Sequence, residues 1–188
     1  MCMGVTQQAG DNSTLNSYTG IMRKTFAITL SVTIVAAIAQ GALSQTRAIK
    51  KFGEWRVLAH ETGDTRICFA IASPRISDPP DASSGAHFYI SAWPKEGVRA
   101  EISVKTSASL KPGAPASIQL DQTFYKLFSK GDRAFVIDTT DELKLLEAMK
   151  RGSTVTVLAQ NEQGVISKDT YSLSGIVQAL QAVSGGCK

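Results

Sequence analysis

Short runs in which apolar and polar residues alternate with a period of two, separated by Gly, Pro, Asp and Asn clusters, restrict this 188-residue chain to a β-rich fold. The run at residues 99–106, RAEISVKT, is the clearest, placing Ala100, Ile102 and Val104 on one side of an extended strand. At residues 50–60, KKFGEWRVLAH sets Trp55, Val57 and Ala59 against Arg56, Leu58 and His60, and reads as an opening strand. A turn at residues 61–64 leads into a second strand, TRICFAIAS at 65–73, giving an antiparallel hairpin. Further strands are expected at 87–93, 117–120, 122–128, 133–138, 153–160 and 165–171. Residues 74–85, PRISDPPDASSG, read as a long surface loop, the kind of segment on which contact residues concentrate.

Helical spacing comes late. Thr139 and Glu142 match a capping box, Leu143, Leu146 and Met149 recur at helical intervals, and Gly152 suits the stop. A last helix is expected after Tyr171, with Ser172 as N-cap and a Tyr171–Ile176 staple. Its apolar stripe would be Leu173, Ile176, Val177, Leu180 and Val183. About eight strands and two helices in the C-terminal half leave too few crossovers for a parallel sheet. The expected fold is mainly β, an antiparallel β-sandwich or a partly closed barrel.

The N-terminal part follows a different logic. Residues 22–44 carry a positive start at Arg23 and Lys24, then a 14-residue apolar stretch, then Ala42 and Ser44 at the −3 and −1 positions of a cleavage site before Gln45. The stretch falls short of the about 20 residues that span a bilayer. The expected organisation is an upstream extension at 1–21, a signal peptide at 22–44 and a single domain at 45–188. The mature product would not span the membrane and would reside in the periplasm or on the outer cell surface. Cleavage would reduce the formal charge from +4 to +3. The bases are scattered along the sequence, so no nucleic-acid partner is expected.

Export bears on the cysteines. Cys2 falls in the discarded part, leaving Cys68 and Cys187, and two cysteines in an oxidising compartment commonly bond. Such a bond would close a loop of about 120 residues, with an entropic contribution of about 4 to 5 kcal/mol in the chain-entropy model. Gly185 and Gly186 would let the tail adjust to bonding geometry. A frayed tail with an open thiol or an intermolecular bond is the alternative.

No residue pattern marks a catalytic, cofactor or metal site. His60 and His87 lie in no catalytic signature; a Cys68–His60 or Cys68–His87 dyad is the one nucleophilic arrangement to weigh. The spacing of these four residues lacks the short pairs of structural zinc sites. Asp138, Asp141 and Glu142 read as helix-start residues rather than a calcium cluster. Among the aromatics, Tyr89 and Tyr125 are the expected exposed members, since each adjoins an aromatic that can face the core.

Four stretches, FGEWRV (52–57), RAF (133–135), LLEAMKRGSTVTV (145–157) and DTYSLSGIVQAL (169–180), in this order and spacing, resemble the invasion-associated locus B family of exported alphaproteobacterial proteins. The resemblance covers essentially the whole of the expected mature chain. It implies a β-rich periplasmic or outer-surface protein, non-enzymatic, with a link to host interaction and no cofactor. Family members often carry a cysteine shortly after the W-x-V, where this chain has Leu58 and Ala59, which leaves Cys187 as the intramolecular partner for Cys68. The function expected is binding of a protein or cell-envelope component. The alternative is a periplasmic small-ligand-binding β-sandwich.

Overall fold

The computed structural model describes residues 44–186. The expected extension, residues 22–43 of the expected signal and Cys187 lie outside them. Eleven strands form one antiparallel sheet: β1 (Gln45–Phe52), β2 (Trp55–Thr62), β3 (Thr65–Ala72), β4 (Ile76–Asp78), β5 (His87–Trp93), β6 (Val98–Lys105), β7 (Ala116–Leu120), β8 (Thr123–Lys130), β9 (Arg133–Val136), β10 (Thr154–Gln160) and β11 (Ile166–Ser172). Two helices accompany them, α1 (Thr139–Met149) and α2 (Ile176–Gly186). The strand order is β1-β2-β3-β5-β6-β9-β8-β7-β10-β11-β4, so the sheet ends at β1 and β4 and is not closed.

The mainly β, antiparallel class expected from the alternation is the observed one, with more strands. Two features account for the difference. The expected opening strand is a hairpin: the chain reverses at Gly53 and Glu54, and β1 pairs back onto β2 from Phe52↔Trp55 to Gln45↔Glu61. The expected loop at 74–85 holds the three-residue β4, which pairs with β11 through Ser77↔Asp169, followed by a 3-10 turn at Pro80–Ser83. Ser77 donates its hydroxyl hydrogen to the Asp169 carboxylate, pinning this short strand to the sheet end. Burial raises the Asp169 pKa, with the Ser77 hydrogen bond opposing.

Alternate residues of the strands build the core. Register aligns Val57, Ala70, Ile90 and Ile102 across four neighbouring strands, and Ala72, Phe88, Val104 and Ala134 across another four. All eight are buried. Helix α2 lies over β2, β3 and β5 and inserts Ile176, Ala179 and Val183. One stripe position expected from the sequence differs. Val177 is 39% exposed, and Ala179 takes its place in the core. The reason is that β11 continues through Ser172 and the helix begins only at Ile176, after the Ser174–Gly175 turn.

Helix α1 corrects the expected capping box. Asp138, not Thr139, is the N-cap, and its carboxylate accepts hydrogen bonds from the amides of Thr140 and Asp141. The Asp141 and Thr140 amides hold the Asp138 carboxyl below the ordinary range. Glu142 reaches to β6 instead, where its Oε1 accepts the Ile102 amide at 2.6 Å, beyond the last β6–β9 pair at Ser103↔Phe135. The buried helix residues are Leu145, Leu146 and Met149, whereas Leu143 is 59% exposed.

Two of the family-like stretches meet in space. Trp55 donates its indole N–H to the Ser172 carbonyl at 3.0 Å, and the Glu54 amide donates to the Ser174 carbonyl at 3.2 Å. The Trp55 ring packs edge-on to Phe88 (5.8 Å), which packs edge-on to Tyr171 (5.5 Å). The second and tenth strands of the sheet order therefore touch, so the sheet folds back over its own core. Both turns at this junction need glycine. A Cβ on Gly53 would stand 2.3 Å from the Ser174 carbonyl oxygen, and one on Gly175 would stand 2.2 Å from the Phe52 carbonyl oxygen. Each glycine also has a positive φ, +54° and +89°.

Candidate functional site

The outward face of the sheet carries large exposed apolar groups where surfaces are ordinarily polar, with Phe124, Phe128 and Ile137 on β8 and just after β9. In β8, Tyr125 and Leu127 point inward, because their partners Ile118 and Ala116 on β7 belong to the core. Period two then forces Phe124, Lys126, Phe128 and Lys130 outward, and all four are exposed. Phe124 is 59% exposed and Phe128 is 58% exposed. The expectation that Tyr125 would be the exposed aromatic is thus reversed, with Tyr125 only 6% exposed.

Strand β9 extends the patch. Phe128 pairs with Phe135 and Lys130 with Arg133, so these side chains share the outward face. One residue past β9, the Ile137 amide donates to the Lys126 carbonyl at 3.4 Å, and its side chain is 64% exposed. Along the same row of the sheet, Phe135 aligns with Ser103 on β6, then Tyr89 on β5 and Ile71 on β3. Tyr89 is half-buried, with its ring 6.1 Å from Phe69 and the Arg133 guanidinium 5.1 Å from its centroid. The apolar members of this row are interrupted by Ser103, and the most exposed apolar groups of the face are on β8 and just after β9.

The charges around these groups are mostly positive. Lys126 stands between the two phenylalanines, with Lys130 and Arg133 beyond Phe128. Lys105 on β6 pairs with Asp132 at 3.2 Å. Glu101, also on the outward face, sits near Arg133; burial raises its pKa and the guanidinium partly offsets that. Burial raises the Glu142 carboxyl too, and the nearby Glu101 charge adds to it against the Ile102 hydrogen bond. Pairing across strands brings Lys105 on β6 beside Arg133, and Arg133 beside Lys130.

A second feature lies at the loop singled out from the sequence. The turn carrying Pro79, Asp81, Ala82 and Ser84 faces residues 106–110 and the β10–β11 hairpin at Asn161 and Val165 across a cleft of about 460 Å³. Its walls are short side chains.

The residues named from the sequence are placed as follows. Gln45 opens β1, and the Ser44 hydroxyl lies 3.1 Å from His60 Nε2 and 3.2 Å from the Thr62 hydroxyl. Cys68 is buried on β3, facing inward between Ala59 and Ala92. The C-terminal turn of α2 comes down beside it, so that a Cβ on Gly186 would stand 3.6 Å from Cys68 Sγ. His60 and His87 have the opposite strand parity and face outward, where His60 bonds the Thr46 hydroxyl and His87 donates to the Gly85 carbonyl. The structure does not bring either histidine to Cys68 as a dyad would require. Asp138, Asp141 and Glu142 are each engaged within the protein, Asp141 with Lys144 at 3.3 Å. Among the described residues no three His, Cys, Asp or Glu side chains gather as metal ligands. No helix among them is long and apolar enough to cross a membrane.

Comparison with known proteins places this architecture. Residues 55–184 match the family model described as Invasion associated locus B (IalB) protein. The crystal structure of invasion associated protein b from Bartonella henselae shares the fold, with a TM-score of 0.52 at 14% sequence identity. The match covers 77% of this chain and 97% of that one. No curated protein matches this chain.

Proposed function

This chain belongs to the invasion-associated locus B family, and from that membership we propose that it is an exported, non-enzymatic protein of the periplasm or outer cell surface. In this reading a signal peptide at residues 22–44 is cleaved between Ser44 and Gln45. The position of Gln45 as the first residue of β1 supports the site, because cleavage there leaves every residue of the described strands in the product. A Cys68–Cys187 disulfide then fastens the C-terminal tail to β3. The approach of Gly186 to Cys68 Sγ supports it, since the next residue in the chain is the cysteine.

The protein acts by binding a protein or envelope component, and the observation that carries this is the exposed group Phe124, Phe128 and Ile137 with its flanking bases. Three large apolar side chains, each more than half exposed and grouped on one face, cost solubility unless a partner covers them. Crosslinking in intact cells tests the proposal. Wild-type protein should yield a defined crosslinked species that the Phe124→Ser/Phe128→Ser variant does not. Identical products from both would remove the assignment of the face, and none from either would remove a protein as the bound component.

A further inference from the structure

We propose that the outward face of β8 and β9 docks on an anionic lipid surface, its phenylalanines entering the acyl boundary and its bases meeting phosphate headgroups. The inference rests on the envelope-binding reading above and names the component. Phe124, Lys126, Phe128 and Lys130 follow one another at every second residue on one exposed face. Two aromatic rings therefore stand about 13 Å apart, with an ammonium group midway and another beyond them. Interfacial anchoring asks for this arrangement: apolar groups that go down and cations on long stems that can stay at headgroup level.

The second strand repeats the composition. Arg133 lies beside Lys130, Phe135 beside Phe128, and Ile137 beside Lys126. The outward side chains of the two strands carry three cations and no carboxylate. Of the carboxylates on bordering turns, Asp132 is paired with Lys105 and Asp138 caps α1, while Asp121 on the β7–β8 turn stays open. On the β7 side the neighbours are Gln119 and Ser117, uncharged and short. A positive, ring-bearing face, bordered by uncharged Gln119 and Ser117 on one side and by Lys105, Ser103 and Glu101 on the other, complements a negatively charged plane, which presents phosphates everywhere and demands no shaped pocket.

The test is flotation of the purified protein, as processed by an exporting bacterial host, with phosphatidylcholine vesicles and with vesicles of phosphatidylcholine mixed with phosphatidylglycerol. Binding is expected to the mixed vesicles, falling with added salt, and to be weak on phosphatidylcholine alone. Phe124→Ser/Phe128→Ser should weaken it at least about tenfold, and Lys126→Gln or Lys130→Gln about fivefold each. Val177→Ser, an exposed apolar change on α2, should leave binding unchanged. Unaltered melting temperatures establish that the variants fold. Absence of binding, or binding indifferent to the phenylalanines, overturns the lipid assignment. A photocrosslinking residue at position 128 in intact cells separates the two readings. A protein captured there without vesicle binding overturns the lipid proposal and leaves the binding function standing, whereas neither result overturns both.

Discussion

Gly175→Ala should be among the most damaging single-methyl additions this fold can receive. The new Cβ would stand 2.2 Å from the Phe52 carbonyl oxygen and 2.9 Å from the Gly53 amide nitrogen, and φ at this position is +89°. The left-handed backbone alone costs a non-glycine residue about 1–2 kcal/mol. Relief of the contact must separate the β1–β2 turn from the β11–α2 turn. That strains the Glu54–Ser174 hydrogen bond and the buried Trp55–Ser172 bond that close the same junction. Losing the first removes about 1 kcal/mol, and leaving a buried partner of the second unmet costs about 1–3 kcal/mol. The sum, about 3–6 kcal/mol, is a large part of the 5–15 kcal/mol of an ordinary domain. At about 3 °C per kcal/mol for this size it corresponds to a Tm lowered by about 10 °C or more. The assay is thermal unfolding followed by near-UV circular dichroism, to which the packed Trp55 ring contributes. Gly63→Ala is the control: φ is +56°, but a Cβ there meets nothing within 4 Å, so only the backbone cost applies. Equal melting of the two variants would refute the crossing of the two turns as a source of stability.

Three further outcomes follow from the packing and the charges. Leu145→Ala should cost about 2–5 kcal/mol in denaturant unfolding, because the side chain is fully buried, while Leu143→Ala at its exposed site should stay within about 0.5 kcal/mol. Trp55→Phe should cost more than its lost volume implies, since the buried Ser172 carbonyl loses its donor, and double-mutant comparison with Phe88→Leu would separate ring packing from the hydrogen bond. Burial raises Glu101 and Glu142 in the folded protein, so the native state holds protons that the unfolded chain has released. Their contribution is therefore complete below the ordinary Glu value of 4.5 and is lost as pH rises toward the raised folded values. Glu142→Gln, which keeps an oxygen for the Ile102 amide, should flatten that decline in melts taken across the range; an unchanged slope would contradict the assignment.

The strands were legible wherever one face was plainly polar. Residues 99–106 alternate so cleanly that only one register buries Ile102 and Val104. In QTFYKLF both faces are apolar, Phe124 and Phe128 on one and Tyr125 and Leu127 on the other, so composition could not say which met the core. The decision came from β7, whose Ile118 and Ala116 stand opposite the inward pair. The face that carries the candidate site was hidden for the same reason. Strand β4 was illegible because three residues between prolines carry no period; its pairing with β11 and the Ser77–Asp169 hydrogen bond hold it. At α1 the residue types of a capping box were present, but a free amide on β6 had a stronger claim on Glu142 than the helix start did. The reversal at Gly53 escaped because alternation looks continuous through KKFGEWRV, and only the approach of Ser174, more than a hundred positions away, requires the turn.

Both the envelope role and the Cys68–Cys187 bond require passage of this chain across a membrane into an oxidising compartment. Intact mass and N-terminal sequence of the exported protein, taken without reductant, address that directly. The predicted result is a chain beginning at Gln45 whose mass is two hydrogens below that of the reduced form, with Cys68 and Cys187 in one linked peptide after digestion. A product that retains residues 22–44, or one with both thiols open to alkylation, would contradict it.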